Sequence, residues 1–240
     1  MRARNCARND SWGQWFYNNL NGDTGPVTLE TWQQQYRALL ATIASKLDAR
    51  ARAAAAAAPP ASPAQVLLLA MTLPPLGEDL TDAVNAQVDA YNAALTQVVL
   101  DFAKEQKALL AKHSQPAAAS GSAATAARPP AVVLDVKLVD ISSECKAAIA
   151  KNQAARQAAG KWKPVVWPTP FFKAGCKIMG CQMTRDWWGL SYNAQSDAAG
   201  SAVITPDGIH INERGGDLVV GLLAAHLVKP LAAAPPPLQK

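Results

Sequence analysis

Apolar residues follow a helical repeat in two long stretches of the chain. They recur every three or four positions after Thr28 and again after Asp82, which predicts two amphipathic helices. The second helix is predicted over roughly residues 82–112, with Thr81 or Asp82 as its N-cap. The repeats comprise Leu29, Trp32, Tyr36, Leu39, Leu40, Ile43 and Leu47 in the first helix, and Val84, Val88, Tyr91, Leu95, Val98, Val99 and Phe102 in the second.

Two shorter runs are apolar without alternation. They are VLLLAMTL at 66–73, which two prolines follow, and AVVLDVKLVDI at 131–141. Runs that are apolar on both faces are typical of buried parallel strands. Because strands and helices alternate along the chain, the pattern predicts an α/β fold with helices covering a parallel sheet. A last apolar run, from Asp217 to Val228, predicts a helix that Pro230 ends.

The remaining stretches are biased or irregular in composition. The length suits one domain over residues 1–230, followed by a disordered tail at 231–240. Alanine- and proline-rich stretches at 49–64 and 114–130 are predicted to be flexible insertions. Residues 142–203, which contain scattered proline, glycine and tryptophan, are predicted to form an irregular, lid-like segment.

Charge and hydropathy limit the partners that the sequence predicts. The net charge is +5, but the 23 Lys and Arg residues are scattered and form no basic stripe with aromatics. This pattern does not predict nucleic-acid binding. No apolar run reaches the ~20 residues of a transmembrane helix, and the opening MRARNCARND has no apolar core of a signal peptide. The compartment and the oligomeric state stay open.

The four cysteines do not form a metal-binding pattern. Cys176 and Cys181 have no second pair at zinc-ligand spacing, so neither a metal nor another cofactor is predicted. These two residues are interpreted as unpaired thiols, with a local disulfide as the alternative.

The segment ITPDGIHINERGGD, residues 204–217, places an aspartate three residues before a histidine. In one interpretation, Asp207 and Gly208 form a bend and His210 is an ordinary surface residue. In the other, the carboxylate of Asp207 accepts a hydrogen bond from Nδ1–H of His210, which leaves Nε2 as a base. The spacing alone leaves both interpretations open.

Several segments, in order along the chain, resemble the SGNH, or GDSL-type, hydrolases. Pro-Asp-Gly-Ile-His-Ile-Asn followed by Glu-Arg-Gly resembles the last block of that family, and Asn9-Asp10-Ser11 resembles its Gly-x-Asn-Asp block. VTLETWQQQYRALLATI resembles the helix after the asparagine block. VLLLAMTLPPLGEDL with VNAQVDAYNAAL resembles the next strand, loop and helix. The resemblance covers more than half of the chain.

The resemblance implies a three-layer α/β/α fold with a parallel sheet, and hydrolysis of a small-molecule carboxylic ester by a serine nucleophile. His210 would then be the general base, Asp207 the residue that orients it and Asn9 a donor to the oxyanion. A neutral side-chain donor aimed at such developing charge contributes ~3–4 kcal/mol in comparable sites.

The chain also departs from the family pattern. Ala7 stands where the family has the glycine of the asparagine block, and the chain contains no Gly-Asp-Ser nucleophile block and no second-block glycine. Thr24 and Ser11 lie in loop sequence and are poor substitutes, because the nucleophile turn needs a strand beneath it. We therefore expect an N-terminally truncated, inactive hydrolase domain, arising from a truncated gene model or a fragment, with a pseudoenzyme as the alternative.

Tryptophans supply further candidate binding residues. Trp12 and Trp15 follow the asparagine block and are candidates to line a substrate cleft. Trp187 and Trp188 are interpreted either as a lid or binding wall near His210 or as packing residues. The aromatic region 160–192 also suggests an alternative function, a non-catalytic carbohydrate-binding module. A basic surface-interaction protein is a further alternative, which would require salt-dependent binding to a polyanion.

Overall fold

The computed structural model describes residues 28–55, 64–114, 131–166 and 171–232 of the chain. The described part is mostly helical and contains a two-stranded sheet, which confirms the mixed α/β class predicted from the sequence. In chain order its elements are α1 (Leu29–Ala55), β1 (Ala64–Met71), α2 (Ala83–Ser114), β2 (Val132–Val139), α3 (Ile141–Ala158), α4 (Phe171–Trp188), α5 (Tyr192–Ala199) and α6 (Glu213–Ala232).

The two strands are parallel neighbours. The amide of Ala64 donates to the carbonyl of Ala131, and the amide of Thr72 donates to the carbonyl of Val139. Because the pairing advances in the same direction along both strands, the register is parallel, with α2 as the connection. Both predicted strands are confirmed to within two residues at each end.

Residues 28–70 and 93–138 contribute to one compact unit, the strand–helix unit. Its described part contains α1, most of both strands and the part of α2 from Ala93 onward. Most of the repeat predicted for α1 and the second half of the repeat predicted for α2 pack in one core, whereas Leu39 is 51% exposed and Val88 packs in a separate cluster. The helix α1 runs to Ala55, into the stretch predicted to be a flexible insertion, because alanine favours helix and Arg52 pairs with Asp48 one turn earlier. The core residues are Leu40, Ala70, Leu95, Val98, Val99, Phe102, Val132, Leu134 and Val136.

A second compact unit, the loop–helix unit, includes residues 71–92 and the described residues after 138. One of its apolar clusters contains Leu76, Val88 and Ile209. Another joins α3 to the segment before residue 205 and contains Cys145, Ile149, Val203 and Ile204. Asp82, just before α2, accepts from the amide of Val84, which confirms it as the predicted cap.

The prediction of an irregular segment over 142–203 is wrong, because α4 and α5 lie within it and all but the first residue of α3 does too. Ile141, Cys145 and Ile149 recur at four-residue intervals and bury one face of α3, and Asp140 caps that helix. Ser191 caps α5, which ends at Gly200 in the left-handed conformation. In α3 and α5 alanine and polar residues separate the few large apolar residues, and in α4 the apolar residues are interrupted by Gly175 and Gly180, so the periodic contrast is weak in all three helices.

The C-terminal helix α6 is longer than predicted at both ends. Asn212 caps it, since its side-chain oxygen accepts from the amide of Gly215 at 3.0 Å, so the helix begins at Glu213 rather than Asp217. Pro230 does not end the helix, which continues to Ala232. Proline removes one backbone N–H donor, but its fixed φ is close to the helical value. None of the helices that the structure describes is long and apolar enough to cross a membrane.

Candidate active site

The Asp–His pair lies on a tight turn built by its sequence. The amide of Gly208 donates to the carbonyl of Thr205 at 2.9 Å, and the amide of Thr205 donates to the carbonyl of His210 at 2.8 Å. Pro206 supplies the φ that the second position of such a turn requires, and Gly208 has a φ of 77°, which a larger residue adopts only with strain. Ile204 and Ile211 pair as an antiparallel bridge, so the turn is closed at its base.

Asp207 holds both the turn and the imidazole ring. Its Oδ1 accepts from the backbone amides of Ile209 at 2.7 Å and His210 at 3.0 Å. Its Oδ2 lies 2.9 Å from Nδ1 of His210. The bend of the first interpretation and the ring contact of the second therefore both occur, because one carboxylate makes both sets of contacts.

The two side chains differ sharply in exposure. Asp207 is 2% exposed, whereas the side chain of His210 is 58% exposed. Burial acts to raise the pKa of Asp207, but hydrogen bonds from His210, Thr205 and the amides of the turn outweigh it, so the pKa lies below its usual value. The carboxylate is therefore charged at neutral pH and can only accept hydrogen bonds.

This charge determines which ring nitrogen carries the proton. Since Oδ2 of Asp207 can only accept, Nδ1 of His210 must be the donor in their contact. In the neutral ring the lone pair is then on Nε2, which has no hydrogen-bond partner among the described residues. An exposed Nε2 held in this state can accept a proton from a neighbouring hydroxyl group.

Cys181, on α4, is a buried thiol beside Asp207. Burial and the negative charge of Asp207 raise the pKa of the Cys181 thiol, while the Asp207 amide and Lys177 act in the opposite direction. A raised pKa disfavours the thiolate, which is the nucleophilic form. Cys181 is therefore poorly suited to be the nucleophile that His210 would serve. Cys176 and Cys181 are both free, so the unpaired interpretation is confirmed.

Glu78, which no sequence motif indicates, is a buried carboxylate that contacts the segment before the turn. Glu78 is 5% exposed and accepts hydrogen bonds from residues 201–204. Its partners lie more than 120 positions away in the chain, so no local spacing could reveal them. Within the loop PPLGEDLTD, residues 74–82, no local pattern distinguishes Glu78 from the neighbouring Asp79 and Asp82.

Two of the other candidate residues, Trp187 and Trp188, belong to the described part of the chain. Trp187 and Trp188 lie at the end of α4 and are 71% and 69% exposed, so they are not core-packing residues of this unit. The described residues contain no group of three or more His, Cys, Asp or Glu that could hold a metal. Asn9, Trp12, Trp15, Ser11 and Thr24 lie outside the described residues.

Comparisons with known proteins do not assign the chain to a family. No protein-family model, no curated protein and no solved structure gives a significant match. The chemistry of the site must therefore be argued from the geometry of Asp207 and His210 and from the motifs in the sequence.

Proposed function

We propose that the chain carries the base half of an ester-hydrolysing site of the SGNH type. The observation that carries this proposal is the 2.9 Å contact between Oδ2 of the buried Asp207 and Nδ1 of the exposed His210. This is the arrangement that a serine hydrolase needs to orient its general base. An incidental turn requires the backbone contacts of Asp207, but it does not require the ring contact.

In this proposal His210 moves the proton in both halves of the reaction. Nε2 takes the proton of a serine hydroxyl as the oxygen attacks the carbonyl carbon of a small-molecule carboxylic ester. The imidazolium that forms is stabilised by the charge of Asp207. It then returns the proton to the departing alkoxide, and an acyl-enzyme remains. Water, deprotonated by the same Nε2, completes hydrolysis and restores the serine.

Two finer elements belong to the same proposal. Asn9 is proposed as a donor to the oxyanion, on the strength of its resemblance to the family's asparagine block. A three-layer α/β/α arrangement is proposed for the fold. The parallel pairing of β1 and β2 supports it, because parallel strands are normally covered by helices on both faces.

The nucleophile is the part of this machinery that the 240 residues do not contain. No Gly-Asp-Ser occurs in the sequence. A base and its orienting carboxylate cannot by themselves carry out the acyl transfer at the rate of a serine hydrolase. We therefore propose that the 240-residue chain is inactive as an esterase, although Asp207 orients the ring of His210 as that reaction requires.

The experiment that tests the proposal is ¹⁵N NMR of the histidine rings at alkaline pH. The neutral ring of His210 is expected to carry its proton on Nδ1. In Asp207→Asn the ratio of the Nδ1–H to the Nε2–H form is expected to fall about tenfold, the change that follows loss of a hydrogen bond to a charged group.

A second candidate function, carbohydrate binding, is favoured by the exposure of Trp187 and Trp188. Adjacent exposed tryptophans are uncommon on a protein surface unless they bind a partner, since their rings prefer burial. Their flat apolar faces are suited to the C–H faces of a sugar ring. Arg185 lies over the ring of Tyr192, 5.2 Å from its centroid, close to this end of α4 in the sequence.

The carbohydrate candidate predicts a loss of binding that is independent of His210. Calorimetric titration with soluble hexasaccharides is expected to give saturable binding by the chain and by His210→Ala. The double change Trp187→Ala and Trp188→Ala is expected to weaken it at least about tenfold, as for a truncated aromatic hot spot. Absence of binding by the unaltered chain, or equal binding by the double variant, would reject this candidate.

A further inference from the structure

Glu78 lies inside a ring of hydrogen-bond donors from a single distant segment. Its Oε1 accepts from the hydroxyl of Ser201 at 2.5 Å and from the amides of Val203 at 2.9 Å and Ile204 at 3.1 Å. The amide of Ala202 lies within 2.9 Å of both carboxylate oxygens. Three consecutive backbone amides and a hydroxyl therefore converge on one buried carboxylate, a concave arrangement suited to an anion.

The backbone that carries Glu78 is itself fixed from two sides. The amide of Glu78 donates to the carbonyl of Val165. On α2, the side chain of Asn85 accepts from the amide of Leu76 at 2.8 Å and donates to the carbonyls of Leu76 and Asp79. Asn85 is fully buried, so these bonds are protected from competition with water. Glu78 is thus presented from a rigid loop.

The segment that Glu78 holds leads directly into the Asp207–His210 turn. Ile204 forms the bridge with Ile211 that closes the turn, and the carbonyl of Val203 accepts from the amide of Asn212 at 2.9 Å. The amide of Gly77, next to Glu78, donates to the carbonyl of Gly208 within the turn at 2.8 Å. The loop around Glu78 therefore contacts the turn itself and the strand-like residues before it.

We propose that Glu78 is a positioning residue for the base. It holds residues 201–204 so that Nδ1 of His210 stays within hydrogen-bond distance of Oδ2 of Asp207. This inference rests on the proposed function. The bonds within the turn fix its shape, but they do not fix its place relative to the rest of the unit. The hydrogen bonds to Glu78 fix the place of the turn relative to the rest of the unit, because their acceptor belongs to a different part of the chain.

The glycine at the start of α6 shows how closely this segment is packed. A Cβ atom at Gly215 would lie 2.8 Å from the carbonyl oxygen of Val203 and 3.0 Å from Cβ of Ile211. Val203 and Ile211 therefore cannot move toward α6. The Glu78 carboxylate holds the same segment by accepting hydrogen bonds from the amides of residues 202–204. A change at Glu78 is expected to reach the ring of His210 through this backbone.

The test is the ring-nitrogen spectrum of His210 in variants of Glu78, with circular dichroism as the measure of folding. Glu78→Ala is expected to lower the ratio of the Nδ1–H to the Nε2–H form about tenfold, as loss of the Asp207 contact does. Glu78→Asp keeps a carboxyl group but withdraws it by one methylene, which weakens the hydrogen bonds to residues 201–204. It is expected to lower the ratio of the Nδ1–H to the Nε2–H form at least about threefold. Glu78→Gln retains a carbonyl oxygen that can occupy the place of Oε1, and is expected to restore the ratio.

Asp79→Asn is the matched control. The Asp79 carboxylate accepts from the amide and hydroxyl of Thr81 rather than from residues 201–204. The Asp79→Asn variant should therefore have the same ratio of the Nδ1–H to the Nε2–H form of His210 as the unaltered chain. If Glu78 only stabilises the fold, Glu78→Ala and Glu78→Asp will lower the melting temperature and leave the ratio unchanged in the folded protein, which would overturn the inference. If the Ala variant does not fold, the Asp variant decides. An unaltered chain without the Nδ1–H form contradicts the proposed function as well.

Discussion

The 240-residue chain is expected to remain unlabelled by a fluorophosphonate probe and to show no turnover of carboxylic esters above the level of a denatured control. Removal of a triad serine lowers kcat about 10⁶-fold in a well-studied serine hydrolase. Since the sequence contains no Gly-Asp-Ser, the same loss is expected here. In-gel fluorescence with an active serine esterase in the same mixture measures the labelling.

Four serines of the loop–helix unit are already engaged by other groups of the protein, which supports this expectation. Each of the following hydroxyls already takes part in a hydrogen bond with the protein: Ser143 with Asp140, Ser191 with the amide of Ala194, Ser196 with the carbonyl of Ile204, and Ser201 with Glu78. Strong labelling that disappears in His210→Ala would contradict the expectation, because it would show that His210 serves a nucleophile within this chain.

Replacement of Asp207 by alanine is expected to give the largest loss of stability among single changes at the pair. It leaves the amides of Ile209 and His210 without their acceptor, and an unsatisfied buried polar group costs about 1–3 kcal/mol. Chemical denaturation at pH 7 measures the free energy of unfolding. Asp186→Ala is the control, because Asp186 is an exposed carboxylate paired with Arg185, and it is expected to change the free energy by less than about 0.5 kcal/mol.

The destabilisation by Asp207→Ala is expected to depend on pH. The pKa of Asp207 in the folded protein lies below its usual value, so its charged form stabilises the fold above that usual value. This contribution is lost as the pH falls through the lowered pKa. The difference between the two proteins is therefore expected to be largest near neutrality and to shrink in strong acid. A difference that grows as the pH falls would show that the buried carboxylate is not stabilised in its charged form.

The elements with strong apolar patterns were predictable from the sequence. The seven periodic residues of α1 and the unbroken run of β1 each concentrate enough apolar surface to specify one element. In α3, by contrast, polar residues and alanines separate Ile141, Cys145 and Ile149, and the composition resembles that of an irregular segment. The cap at Asp140 was the stronger signal for that helix.

The site was predictable where its contacts are local. Asp207 and His210 are three residues apart, and Pro206 and Gly208 specify a turn that brings such neighbours together. Glu78 was not predictable, because its partners are Ser201 to Ile204 and only the folded chain brings them near. The exposure of Trp187 and Trp188 was also open in the sequence, since an aromatic residue in a helix suits a core as well as a surface.

The measurement that tests the central claim most directly is the protonation state of the His210 ring in the unaltered chain. The chain has three histidines, so His113 and His226 are internal references in the same ¹⁵N spectrum. We expect neutral His210 to be the Nδ1–H form, with Nε2 unprotonated, and Asp207→Asn to shift His210 without shifting the other two. A His210 ring protonated mainly on Nε2, or one that does not respond to Asp207→Asn, would contradict its role as an oriented base.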